Sequence, residues 1–195
     1  MIVSFERMML ESMISFLIDR DATSYFRAIV KANERSQRAL DLTLHIINLN
    51  PAHYTVWQYR WNTILALHGS NREALLAEQK LMEELAVRFL KTYQVWHHRR
   101  LLLMHLKNPH PELNFISKAL PTDAKNYHTW AYRQWILNHF ANDLGEEIRE
   151  VELAFTEDML SEDLRNNSAW HHRFFVVWHP ASTANKEETL RRELR

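Results

Sequence analysis

Lys91-Thr92-Tyr93-Gln94-Val95-Trp96-His97-His98-Arg99-Arg100 is the stretch from which the rest of the chain can be read, because variants of it recur in tryptophan register. The copies are His53-Tyr54-Thr55-Val56-Trp57-Gln58-Tyr59-Arg60, Asn126-Tyr127-His128-Thr129-Trp130-Ala131-Tyr132-Arg133 and Asn166-Asn167-Ser168-Ala169-Trp170-His171-His172-Arg173. Tryptophan and the arginine three residues after it stand in all four. The tryptophans at 57, 96, 130 and 170 are 39, 34 and 40 residues apart, and a period of that size holds two helices per unit. One hairpin cannot bury its apolar face alone, so neighbours must stack. The expected fold class is all-α, a right-handed α-α superhelix of antiparallel helical hairpins, tetratricopeptide-like.

Working outward, each tryptophan helix has a partner before it. Ala39, Leu42, Ile46 and Leu49 fall on one helical face that ends at Asn50-Pro51, and a second helix runs from near Tyr54 toward Gly69. The next pair is Asn71 to Leu90, with Leu75, Met82, Leu85 and Phe89 inward, and the Trp96 helix to about Leu106. Pro111 to Leu120, with Leu113, Ile116 and Leu120 inward, precedes the Trp130 helix; Gly145 marks a break. Ile148, Val151, Phe155 and Met159 line the first helix of the fourth pair, and the Trp170 helix ends before Pro180. This divides the chain into a flanking helix at 1–24, hairpin repeats at 25–180, and the start of a further, incomplete repeat at 181–195.

Composition bounds the chemistry. Lys+Arg and Asp+Glu are 24 each, so no overall basic excess points to nucleic acid or an anionic membrane. Two glycines leave no G-x-G-x-x-G or Walker loop, and zero cysteines exclude disulfides and thiolate metal sites within this sequence. None of the 12 histidines forms an H-x-x-x-H pair, so no metal site is expected. No run approaches the ~18 apolar residues of a membrane span. The expectation is a cytoplasmic protein.

What repeats is read as scaffold: each tryptophan has one N–H to satisfy, and its arginine lies on the same helical face. What varies is read as chemistry. Five residues before each tryptophan stand Ala52, Lys91, Lys125 and Arg165, and two before it stand Thr55, Gln94, His128 and Ser168. These positions open the second helices, where unpaired N–H groups favour anions and a cation is mildly disfavoured. Three cations there imply acidic partners from the preceding helix or an anionic ligand.

Tyr54-Thr55-Val56-Trp57, Asn126-Tyr127-His128-Thr129-Trp130 and above all Tyr93-Gln94-Val95-Trp96-His97-His98-Arg99-Arg100 resemble the repeats of the α subunit shared by protein farnesyltransferase and protein geranylgeranyltransferase type I. The resemblance takes in Glu34-Arg35-Ser36, Arg38-Ala39-Leu40 and Asp163 to Trp170, and spans roughly Tyr25 to Val177. It implies a transferase subunit, active only with a β subunit, that passes farnesyl or geranylgeranyl from its diphosphate to a cysteine near the C-terminus of a C-a-a-X substrate. The catalytic zinc is expected on the β subunit, with magnesium allowed beside it, and this chain is expected to bind no cofactor. Matched residue by residue, the resemblance implies Lys91 and Tyr127 as catalytic groups. It implies Lys91, Tyr93, Tyr127 and His128 on the isoprenoid diphosphate, and Gln94 on the substrate peptide's carboxylate. The alternatives are the α subunit of the Rab geranylgeranyltransferase, which shares the tryptophan repeat, and a non-catalytic helical-repeat scaffold.

Overall fold

The computed structural model describes residues 21–145, 147–178 and 186–193, and the regular structure in them is helical throughout. Its elements are α1 (21–31), α2 (Gln37–Leu49), α3 (Tyr54–His68), α4 (Arg72–Arg88), α5 (Tyr93–Leu106), α6 (His110–Ala119), α7 (Tyr127–His139), the short α8 (Ala141–Leu144), α9 (Ile148–Glu162), α10 (Asn167–Trp178) and α11 (Lys186–Glu193). A 3-10 turn, Leu120–Thr122, follows α6 and contains Pro121. The N-terminal segment before residue 21 lies outside the described residues. The described residues form two compact units, one of those up to Met82 with Thr92–His105, the other of Glu83–Lys91 with those from Leu106 onward. Among the described residues no helix is long and apolar enough to cross a membrane.

Local chemistry explains the helix ends. Ser36 Oγ accepts from the Ala39 N–H to cap α2, and Asn126 Oδ1 accepts from the Thr129 N–H to cap α7. Asn166 Oδ1 accepts from the N–H groups of Ser168 and Ala169 at the start of α10. At the other end of α3, Gly69 adopts φ +56° and its N–H bonds Leu65 O at 2.8 Å. That left-handed backbone strains any side-chain-bearing residue, although open space surrounds the position.

The buried faces are close to the apolar stripes, with two rotations. In α2 the buried set is Ala39, Leu40, Thr43, Ile46 and Ile47, leaving Leu42 half-buried and Leu49 exposed. In α9 the expected Val151 is 57% exposed, whereas Glu152 and Leu153 are buried. An apolar stripe passes over a glutamate, since an isolated buried carboxylate is costly. Glu152 is not isolated.

In the second unit, Arg133 of α7 forms a two-pronged pair with Glu152 of α9, Nε to Oε2 at 2.7 Å and NH2 to Oε1 at 2.6 Å. His172 of α10 then donates through Nε2 to Glu152 Oε2 at 2.8 Å, because a carboxylate can only accept. The first unit repeats the arrangement. Arg60 of α3 pairs with Glu78 of α4 at 2.7 and 2.6 Å, and His98 of α5 donates to Glu78 Oε1 at 2.9 Å. The remaining arginine nitrogen also has acceptors: Arg60 NH1 donates to Leu40 O at 2.8 Å, and Arg133 NH1 to Ser117 Oγ at 2.9 Å. One carboxylate thus joins three helices in each unit, α3, α4 and α5 in the first and α7, α9 and α10 in the second.

The tryptophans lie over these relays. Trp57 meets His98 with ring centroids 5.3 Å apart, and Trp130 meets His172 at 5.0 Å. Three of the repeat indoles bond a carbonyl six residues back, Trp57 on Pro51 O, Trp130 on Ala124 O and Trp170 on Leu164 O, at 2.8 to 2.9 Å. The scaffold reading holds for Trp57 and Trp130 with Arg60 and Arg133, all buried, whereas Trp170 is 45% exposed. Arg173 of α10 continues the series with a two-pronged pair to Glu193 of α11.

The relays set protonation as well as geometry. Burial alone would raise Glu78, but hydrogen bonds from His98 and Arg60, with the guanidinium charge, hold it down at about 2. Glu152 is lowered by the same balance of His172 and Arg133 against burial. Burial pushes His172 below the usual imidazole range despite the pull of Glu152. Its Nδ1 is buried without a partner, so a proton placed there would be an unsatisfied donor.

Two outcomes follow for stability, both read by denaturant unfolding. Arg133→Ala leaves Glu152 as an uncompensated buried charge and should cost about 3–5 kcal/mol. Glu78 has a folded pKa below its ordinary 4.5, so its stabilisation is complete above that pH and is lost as pH falls toward 2. The contribution at neutral pH is about 3 kcal/mol, and Glu78→Gln should flatten that part of the stability–pH curve.

Candidate functional site

The variable positions gather at the start of each second helix, and the loops before those helices are tied by the following repeat. Ahead of α5, Leu90 O accepts from Asn126 Nδ2 at 3.4 Å. Ahead of α7, Ala124 O accepts from both the Trp130 indole and Asn166 Nδ2, the latter at 3.2 Å. Ahead of α3, Ala52 O accepts from Gln94 Nε2 at 3.1 Å. Asn126 and Asn166 therefore each cap their own helix and fasten the loop one repeat earlier. Gln94 does the second of these jobs in the first unit.

This bears on the role expected of Gln94. One amide hydrogen is committed to Ala52, but an amide nitrogen carries two. The other remains to meet a carboxylate, from a side chain whose orientation is already fixed.

The cations lie on the surface. Lys91, in the loop before α5, is 85% exposed and its Nζ stands 4.0 Å from Asp123 Oδ2. Lys125, at the same place before α7, is 3.2 Å from Asp163 Oδ2. The sequence reading expected acidic partners from the preceding helix or an anionic ligand; Lys91 and Lys125 have acidic partners, but from the end of the next repeat's first helix. The physical reason is that the loops, pulled forward by Asn126 and Asn166, lie beside the following hairpin's corner. The Lys125 hydrogen bond and the Arg165 N–H keep the Asp163 carboxyl below its usual range. Lys91 is held more loosely than Lys125, so it is freer to meet another anion.

Tyr93 and Tyr127 are the first residues of α5 and α7, and both are exposed. Tyr93 stacks on His97 with ring centroids 6.1 Å apart and 13° between planes. Tyr127 meets the half-buried His128 edge to face at 5.6 Å and 73°. Within the second unit Lys91, Tyr127 and His128 thus stand at loop and helix starts whose N–H groups and dipoles favour negative charge. Within the first, Tyr93 and Gln94 open α5. Ammonium and phenol donors placed this way can bind an anion. Among the described residues no group of three or more His, Cys, Asp or Glu could hold a metal ion.

The sequence reading missed Glu78 and Glu152, and with them the job of His98 and His172. A signal was present. Glu78, Glu112 and Glu152 stand 20 residues before His98, Tyr132 and His172. Tyr132 Oη donates to Glu112 Oε2 at 2.9 Å, so phenol and imidazole alternate in one structural role. His97 and His98, adjacent in sequence, part company: the first faces outward and the second is buried.

Residues 36–67, 75–106, 109–140 and 150–180 each match the protein prenyltransferase alpha subunit repeat. The geranylgeranyl transferase type-2 subunit alpha of Saccharomyces cerevisiae is 27% identical over 169 residues, covering 82% of this chain and 51% of that protein. Its Candida albicans counterpart is 32% identical over 168 residues, 76% of this chain and 45% of that protein. For the human one the figures are 34% over 150 residues, 73% and 26%. A solved structure, Candida albicans protein geranylgeranyltransferase-I complexed with GGPP, matches with a TM-score of 0.77 at 36% identity, over 89% of this chain and 57% of that one. The matched part of the chain spans between 26% and 51% of the length of these curated relatives.

Asn126→Ala removes both a cap and a loop tie. It should cost about 1–2 kcal/mol in an unfolding experiment and speed amide hydrogen exchange at Thr129, whose N–H loses its acceptor.

Proposed function

Because the chain belongs to the protein prenyltransferase alpha subunit family, we propose that it serves as the α subunit of a cytoplasmic CaaX-type enzyme. With a β subunit, that enzyme transfers farnesyl or geranylgeranyl from its diphosphate to a cysteine thiol near the C-terminus of protein substrates. The observation that carries this reading is the set Lys91, Tyr93, Gln94, Tyr127 and His128, all at or just before the first turns of α5 and α7. The likeness to a geranylgeranyltransferase-I structure at 36% identity supports it.

The chemistry assigned to this chain is electrostatic. As the bond from isoprenoid carbon to oxygen breaks, negative charge gathers on the departing diphosphate. Lys91 supplies a full positive charge and up to three donors, and its loose 4.0 Å contact with Asp123 is readily exchanged for a phosphate oxygen. Tyr127 adds a phenolic donor, and Tyr93 and His128 complete the set. Interactions that strengthen as charge develops lower the barrier rather than merely tighten binding. Gln94, steadied on Ala52 O, presents its second amide hydrogen to the peptide's terminal carboxylate. The zinc of such enzymes, which activates the substrate thiol, belongs in this reading to the β subunit.

A second reading has one observation in its favour. The curated relatives named above are type-2 subunits, which would make the substrates Rab proteins. The first is preferred on the Lys91 to Gln94 and Tyr127 to His128 combinations.

The test is Lys91→Ala in the complex with the β subunit. Loss of one charge-assisted hydrogen bond should lower kcat about 10- to 100-fold. The unfolding midpoint should stay put, since the side chain is a surface one. An unchanged kcat would remove Lys91 from the reaction.

A further inference from the structure

Tyr93 opens α5 and has no earlier helical turn for its side chain to lean on. Tyr54 and Tyr127 occupy the same place in α3 and α7 and are 74% and 77% exposed, against 56% for Tyr93. The copies also differ one turn further on, where residues four apart share a helical face. Four residues after the three tyrosines stand Gln58, His97 and Ala131. Gln58 donates to Asn62 Oδ1 at 3.1 Å, along its own helix, and Ala131 has no ring. Only His97 offers a flat surface, and it lies within 13° of parallel to the Tyr93 ring.

Partial burial, the Arg100 charge and the neighbouring His98 hold His97 below the usual imidazole range, which favours the neutral ring. A neutral ring steadies the phenol without bringing a second positive charge beside Lys91's loop. Tyr127 also has an imidazole against it, that of His128. Tyr54, to which no anion contact is assigned, has no ring contact among the described residues.

We propose that His97 is a positioning residue for Tyr93. It narrows the rotamers of the phenol so that the hydroxyl meets the isoprenoid diphosphate with little ordering left to do. This rests on the reading of Tyr93 as a diphosphate contact, and it adds a residue for which sequence comparison of the four copies gave no role.

The experiment uses the chain in complex with the β subunit, with kcat and KM measured separately for isoprenoid diphosphate and for a CaaX peptide. His97→Ala should lower kcat/KM for the diphosphate about 2- to 10-fold, the worth of one aromatic pair, and leave the peptide KM unchanged. His97→Phe, which keeps a ring, should restore the wild-type value. In a Tyr93→Ala background His97→Ala should have no further effect. If Tyr93→Ala impairs use of the diphosphate but His97→Ala does not, or His97→Ala costs the same in both backgrounds, the positioning role is wrong and the reading of Tyr93 stands. If Tyr93→Ala itself leaves diphosphate kinetics unchanged, the reading of Tyr93 fails and the positioning role with it.

Discussion

A buried carboxylate shared between an arginine and an imidazole is the interaction on which this architecture depends. Glu78 takes both prongs of Arg60 and the N–H of His98, and Glu152 does the same with Arg133 and His172. Each relay fixes the second helix of one repeat, the first helix of the next and that repeat's second helix in a single hydrogen-bonded unit. A purely apolar seam would let helices slide by a fraction of a turn. A two-pronged guanidinium pair with a third donor does not, because its donors and acceptors have set directions. The stability of the relay and the register of the hairpins are two aspects of one geometry.

The placement of the candidate site follows from that register. Trp57, Trp96 and Trp130, with the arginines three residues on, face inward from the first two turns of α3, α5 and α7, so the residues just before them are carried to the surface at the helix start. Asn126 and Asn166 then tie the preceding loops. The scaffold supplies fixed positions, and what differs between repeats is which side chain occupies them: Lys91, Tyr93 and Gln94 in one copy, Lys125, Tyr127 and His128 in the next. Repetition of a frame with variation at its edge lets an otherwise structural solenoid carry specific donors.

Much of the fold was legible in the sequence, since tryptophan spacing and the proline and glycine breaks locate helices whose bounds the structure reproduces to within a few residues. The relay was not. A carboxylate on a helix is ordinarily counted as outward, and the reading of α9 accordingly chose Val151 over Glu152. What makes Glu152 buried is Arg133, on another helix and 19 residues away. Comparison of the copies singled out Lys91, Gln94 and His128 as variable helix-start positions, whereas Tyr93, Tyr127 and the role of each of the five came from likeness to a family. Their partners were hidden for a related reason: Gln94 meets Ala52 across 42 residues, and the lysines find their aspartates one repeat ahead. Contacts between repeats depend on loop lengths that vary from copy to copy, so pattern within a repeat does not disclose them.

The central claim is that this frame presents isoprenoid-diphosphate chemistry to CaaX substrates. It is tested most directly by co-expressing the chain with CaaX-type and type-2 β subunits and following isoprenoid transfer to a CaaX peptide and to a Rab protein by mass spectrometry. The account predicts copurification with the CaaX-type β subunit and a farnesyl or geranylgeranyl mass gain on the peptide's cysteine. Pairing only with the type-2 β subunit, with modification of the Rab protein alone, would contradict it.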